Sequence, residues 1–311
     1  MPGHFLVVTA ATAISALRSG PVTTNGRSKF ICWTHLRQCG GTVRIRTRRT
    51  GTLIVVTAVA ALALSSCASS DDTAATGTGG VPLISEGKLT TCTQLPYRPF
   101  EFSEGGEITG FDIDIVAEIA KDLGVEQEVV DTPFEGTQSG EDLNTGKCDI
   151  AAAGITITEK RAQALDFSDP YFDATQALMV KSDSTIASLD DLDGKKLGVQ
   201  AATTGEIYAQ ENAPGAELVQ FEDLALLQTA VQTGQVDAAI NDNGVLFDFA
   251  SLNDDVKVSA EFDTGEQYGL GVKLGSTALL EAVNGTLERI KGDGTYDTLY
   301  AKYFGSAPAS S

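Results

Sequence analysis

The chain has 311 residues and a formal net charge of −20. Eight basic residues and no acidic ones precede Cys67, so Cys67–Ser311 carries 14 basic against 42 acidic residues, a net −28, which excludes a net electrostatic grip on a nucleic-acid backbone. Both histidines (His4, His35) also precede Cys67, which excludes Ser-His-Asp, Cys-His and histidine–metal chemistry from the remaining 245 residues, a length sufficient for one large domain or two smaller ones.

Residues 1–42 lack acids and show no fold pattern. They are expected to be an unstructured extension or the result of a mis-set start, with Val43 as the true first residue. Arg44–Thr50 is basic, Leu53–Leu64 is a run of twelve apolar or small residues, and Leu64-Ser65-Ser66-Cys67 follows. That order predicts a secretory signal peptide over 43–66. The apolar run is shorter than the roughly 18–20 residues of a membrane span. Leu-Ser-Ser-Cys resembles a bacterial lipobox, which implies that Cys67 is lipidated and becomes the mature N-terminus. Ala68–Gly80 is small, polar and rich in Gly, Ser and Thr. Such a segment buries little apolar area, so 67–82 is expected to be a flexible tether.

From Leu83 strand and helix patterns alternate. Leu89–Thr93 reads as a strand. Asp112–Leu123 reads as a helix, because Val116, Ile119, Ala120 and Leu123 recur at helical spacing and Gly124 stops it. Strands are predicted at Glu126–Val130, Ile150–Ala153, Leu197–Gln200, Ala216–Gln220 and Ala238–Asn241. Helices are predicted at Thr204–Asn212, around Leu224–Val231, at Thr277–Lys291 and at Tyr296–Tyr303. Such alternation predicts α/β architecture, with parallel sheets and ligands at the carboxyl ends of strands. Asn144–Ala153 and Gln232–Ile240 share one plan of Gly, polar residue, Asp and small apolar strand, which suggests two similarly built lobes.

Several segments, taken in order, resemble one family. They are Tyr97–Phe102 (YRPFEF), Gly110–Ile115 (GFDIDI), Gly154–Arg161 (GITITEKR), Leu165–Tyr171 (LDFSDPY), Asp193–Gln200 (DGKKLGVQ), Val236–Asp242 (VDAAIND) and Gly294-Thr295-Tyr296. Together they are similar to the extracellular solute-binding proteins of polar amino-acid ABC importers (family 3). The resemblance covers about 83–305. It implies a periplasmic-binding-protein-like α/β fold of two lobes, each a mostly parallel sheet flanked by helices, joined by a two-strand hinge. Lobe one would be 83–178 plus 268–305, lobe two 179–267, and 306–311 a tail. The hinge crossings would lie near Ala174–Met179 and Phe262–Tyr268.

The resemblance also implies a function. The chain would capture a polar amino acid between its lobes and deliver it to the permease subunits. It would do so as a monomer without cofactor or metal, held to the outer face of the cell membrane by the lipid on Cys67. Arg161 matches the carboxylate-binding arginine, and a planar guanidinium suits that role because it binds carboxylate bidentately. Asp242 matches the ammonium-binding aspartate. Gly154 and Thr156 match backbone and hydroxyl contacts to the ligand's two ends. Tyr97 and Phe134 match aromatics that sandwich its side chain. Thr203 keeps the hydroxyl of a Gly-Thr pair whose glycine is replaced by Ala202. Gln94 stands where many members have Asp, and Gln200 is a further ligand candidate. Arg98 either reads a distal ligand carboxylate or faces solvent. Cys92 and Cys148 are expected to form a disulfide. The alternatives are an enzyme on the same scaffold, of cyclohexadienyl dehydratase type, and a sensor module. The enzyme would need a carboxylate as its acid or base, since no histidine is available.

Overall fold

The computed structural model describes residues 80–305, together with the backbone of Ala75–Thr76. The described residues form one compact unit. The signal peptide, Cys67 and the residue 1–42 extension lie outside the described residues. Within the stretch expected to be a tether, Ala75–Thr76 pairs antiparallel with Pro82–Leu83.

Lys88–Thr93 (KLTTCT) is buried at five of its six positions, so it forms a central strand. It pairs in parallel with Glu126–Asp131 on one side and Ile150–Ala151 on the other. Gly271–Lys273 and then Leu165–Phe167 continue this sheet antiparallel. The second sheet repeats the plan. Glu217–Phe221, Lys196–Gln200 and Ala238–Asp242 run parallel, and Phe172–Lys181 and Val256–Tyr268 follow antiparallel. Each sheet is therefore parallel on one side and antiparallel on the other, a mixed form of the expected mostly parallel lobe.

Helices cover the faces. Phe111–Leu123 turns Ile115, Val116, Ile119 and Leu123 inward and ends at Gly124, whose φ of 67° is the left-handed cap that glycine adopts without strain. It packs with Thr277–Asp293 and Thr295–Phe304 on the first sheet. Thr204–Asn212, Leu224–Thr233 and Asn243–Leu252 pack on the second. Thr203 and Asp223 cap two of these helices by accepting from the amides of Glu206 and Leu226.

The long strands Phe172–Lys181 and Val256–Tyr268 join the two lobes. Phe172, Ala174, Ala177 and Met179 belong to a core that continues into Phe100, Phe111 and Tyr268 on one side and Leu227, Val231 and Leu246 on the other. The pairing of these strands shifts between Phe262 and Glu266, where Phe262 faces Gln176 and Glu266 faces Ala174. That bulge turns the strand as it leaves the second lobe.

Cys92 and Cys148 are bonded, with Cα atoms 5.7 Å apart and 56 residues of sequence separation. Both are buried among Phe134, Leu143, Ala151, Ile155 and Leu165. The bond pins the segment carrying Phe134 between its ends. A crosslink over that span removes about 4 kcal/mol of unfolded-chain freedom in the entropy model. Reduction, or the double variant C92A/C148A, is therefore expected to lower the thermal midpoint by several degrees. Unchanged calorimetric melting of the reduced protein would count against that contribution.

Candidate functional site

The carboxyl ends of the parallel strands in both sheets converge on one cleft. Thr93 and Ala151 lead into the segments carrying Tyr97 and Gly154 from the first lobe, and Gln200 and Asp242 end strands of the second. Tyr97, Phe134, Gly154, Thr156, Arg161, Gln200, Thr203, Thr204 and Asp242 line one small cavity. Gln94 lies just outside it, with Phe134 on the wall of a wider chamber of about 420 Å³.

Arg161 is only 6% exposed. Burial lowers its pKa, and the charges of Asp242 and Glu266 pull it back up. Its Nε donates to Gln138 Oε1 (3.0 Å), Nη1 to the Thr156 carbonyl (2.8 Å) and Nη2 to the Ala202 carbonyl across the cleft (3.1 Å). A guanidinium has five N–H donors, so one on each Nη is left for a further acceptor. The cation also lies 5.4 Å from the centroid of the Phe134 ring.

Asp242 is the opposing charge. Tyr97 and Tyr268 donate their hydroxyls to its Oδ2, and Gln176 donates to its Oδ1 at 2.5 Å. An ionised carboxylate accepts about four hydrogen bonds, so one position stays open. Burial, and then the charge of Glu266, push its pKa up to about 6. Glu266 shares the Gln176 amide, which lies 2.8 Å from its Oε2. A chain of amides leads away from Asp242 toward Gln94. Gln200 donates to Gln94 Oε1 (2.8 Å), Asn241 donates to Gln200 Oε1 (3.0 Å), and the Tyr97 hydroxyl lies 2.9 Å from Asn241 Oδ1.

Gly154 is held from behind. Its φ is +54°, and an added Cβ would sit 2.9 Å from Tyr97 Cε1 and 3.2 Å from Tyr268 Cε2. Glycine is therefore required there twice over, by conformation and by space. The Gly154 amide donates to Asp112 Oδ2 (2.9 Å), and Tyr171 donates to Asp112 Oδ1 (2.7 Å). Burial raises the Asp112 pKa to about 6 against these two bonds.

The structure thus brings Tyr97, Phe134, Gly154, Thr156, Arg161, Gln200, Thr203 and Asp242 to one cavity and sets Gln94 at its edge. Thr203 spends its hydroxyl on capping its helix and on the Gln200 carbonyl (2.8 Å). The neighbouring Thr204 hydroxyl lies 3.4 Å from that of Thr156, across the cleft. Arg98 faces elsewhere and pairs with Asp248. Thr204, Gln176, Tyr268, Glu266 and Asp112 escaped sequence reasoning. Asp112 carried a signal: it lies four residues before Val116, so a carboxylate occupies the apolar stripe of its helix. Among the described residues no group of three or more His, Cys, Asp or Glu could hold a metal ion.

A cleft between two lobes joined by paired crossing strands defines the class of two-lobed binding proteins. The chain belongs to the bacterial extracellular solute-binding proteins, family 3, whose sequence profile matches residues 89–306. It is 40% identical over 207 residues to the ABC transporter glutamine-binding protein GlnH of Bacillus subtilis (strain 168), covering 66% of this chain and 76% of the relative. Among solved structures it is similar to an ancestral arginine-binding protein bound to glutamine. The TM-score is 0.68 at 41% identity, with 71% of this chain and all of the other covered. It is also similar to the ancestral amino acid-binding protein AncCDT-1, a precursor of cyclohexadienyl dehydratase (TM-score 0.65, 40% identity, 70% and 95% covered).

Ala202 adopts a φ of +64°, which in a residue with a Cβ costs roughly 1 kcal/mol. Two hydrogen bonds hold it there: its amide donates to Glu206 Oε2 (2.9 Å), and its carbonyl receives Arg161. Ala202→Gly is expected to raise stability by up to about 1 kcal/mol, seen as a rise of a few degrees in the thermal midpoint. A fall in that midpoint would mean that the loop leaves the left-handed region in solution.

Proposed function

We propose that this protein captures a polar amino acid between its lobes and delivers it to an ABC permease. The observation that carries this reading is the pairing of opposite charges across one small cavity. Arg161 on the first lobe keeps two N–H donors free for a carboxylate, and Asp242 on the second keeps one acceptor position for an ammonium. Those are the two ends of an α-amino acid. Thr156, whose carbonyl holds Arg161, would stand at the carboxylate end and Gly154, packed against Tyr97 and Tyr268, at the ammonium end, with Tyr97 and Phe134 as apolar walls and Gln200, backed by Gln94 and Asn241, toward the ligand side chain. Relatives named for amino-acid binding support the same reading. The lobes would close on the ligand by bending at the two crossing strands, since contacts to both lobes favour the closed form. The protein would act as a monomer, tethered by lipid on Cys67 to the outer face of the membrane.

Catalysis is not favoured. Among the residues lining the cavity the only carboxylate is Asp242, and three protein donors already engage it. An acid or base for turnover would have to be freed from them.

Two experiments test the reading. A thermal-shift screen against the twenty amino acids is expected to find a stabilising ligand, because ligand at 100 times its Kd adds about 2.7 kcal/mol. Arg161→Ala is then expected to lose about 2–5 kcal/mol of binding, much of it from stranding a buried carboxylate. Calorimetric affinity equal to wild type in that variant would refute the assignment.

Binding is also expected to depend on pH through Asp242. Its carboxyl is raised from 3.8 to about 6 by burial and by Glu266. A ligand ammonium needs the ionised form, so below about pH 6 the ligand must displace a proton. Affinity should fall by up to tenfold per pH unit there and level off above. For the ligand-free protein the sign is opposite. The raised pKa contributes stability below the carboxyl's ordinary 3.8, and that stability is lost as pH rises through about 6. Titration calorimetry in buffers of different ionisation heat would show proton release on binding near pH 5. Zero proton exchange would exclude Asp242 as the ammonium partner.

A further inference from the structure

We propose that Arg98 and Asp248 form a latch between the lobes, on a face of the cleft away from the ligand cavity, which sets the affinity for every ligand alike. Arg98 lies on the first-lobe segment next to Tyr97, and Asp248 lies in the second-lobe helix Asn243–Leu252, which begins just after Asp242. Neighbouring residues thus turn opposite ways. Tyr97 and Asp242 line the ligand cavity, while Arg98 and Asp248 line a separate interlobe groove of about 470 Å³ with Leu95, Phe102, Leu224 and Leu252. The two sets share no residue. Arg98 Nε is 3.2 Å from Asp248 Oδ2, and the guanidinium lies 4.3 Å from the centroid of the Phe102 ring. That ring orders the arginine before it meets its partner, which cuts the entropy cost of the pair. The Asp248 side chain is only 18% exposed, so screening by solvent is partial on that side. Burial raises the Asp248 pKa and Arg98 draws it back down, so separating the pair would leave a half-buried carboxylate without its cation.

The consequence follows from population arithmetic. The latch favours the closed form without touching ligand, and apparent Kd scales inversely with the closed fraction. Removing it weakens every ligand by one common factor. A residue that reads a ligand side chain would change the ranking of ligands instead. The inference about affinity rests on the binding reading given above, but the closure it controls is measured without ligand.

The test uses the whole protein with a fluorescent dye on each lobe. Single-molecule energy transfer reads the closed-to-open ratio in the absence of ligand. R98A and D248A are each expected to lower that ratio about two- to five-fold, as expected for a part-exposed ion pair. R98A/D248A should do little more than either single variant. Raising salt should open the wild type and leave R98A unmoved. Kd values of the amino acids that bind should all rise by the same factor. An unchanged ratio in R98A would overturn the latch, and so would a loss confined to acidic amino acids, which would make Arg98 a ligand contact. If the wild type binds no amino acid, the functional reading fails, and the ligand-free ratio still decides the latch.

Discussion

The structure turns on holding the Asp242 carboxyl in a place from which water is largely excluded, where its ionised form, dominant above about pH 6, costs the ligand-free fold stability. An unpaired buried charge is very costly, so its hydrogen-bond partners cannot be optional. They come from separate parts of the chain. Tyr97 reaches it from the first lobe, while Gln176 and Tyr268 lie on the two crossing strands. Satisfying one carboxylate therefore draws both lobes and both connections to a common point. The strand register serves this end. Gln176 pairs directly with Asp242 along the sheet, and the bulge before Glu266 lets the second crossing strand turn so that Tyr268 arrives at the same oxygen as Tyr97.

The first lobe supports that point with a second buried acid. Asp112 takes the Gly154 amide and the Tyr171 hydroxyl, so a helix of the core fixes the turn on which the cavity floor rests. Glu101 is wholly buried close to Asp112, and neither of its carboxyl oxygens has a partner. Burial, and then the charge of Asp112, push its pKa well above the ordinary range. The two acids share a dry interior unequally: Asp112 accepts fixed donors, and Glu101 has none.

Elements with a single buried face were legible in the sequence. Phe111–Leu123 and Leu224–Thr233 are legible in their helical spacing, and the buried strands in their short apolar runs. The helix Asn243–Leu252 was not, because it opens with Asn-Gly, a turn signal, and buries only Val245 and Leu246. The crossing strands were placed by family resemblance rather than by pattern, since Val256–Tyr268 is mostly part-exposed and broken by Gly265. The site divides in the same way. Motifs marked Arg161, Asp242 and Gly154. Gln176 and Tyr268 act through strand register, which appears in no local pattern. Thr204 is separated from Thr203 only by which hydroxyl the helix cap consumes.

The net −28 of Cys67–Ser311 acquires a local meaning at the mouth of the cleft. The wider chamber outside the cavity is walled by Asp131, Glu135, Glu222 and Asp223, with no Lys or Arg among its lining residues. Its potential is therefore negative, and low-dielectric walls focus such a field. Under the proposed binding role, a cationic group would be favoured at this mouth and an anionic one disfavoured, while Arg161, in the inner cavity with Asp242, would attract a carboxylate. A dianion would therefore be repelled at the mouth before it reached Arg161, whereas a zwitterion would find a partner of opposite sign for each of its ends inside the cavity.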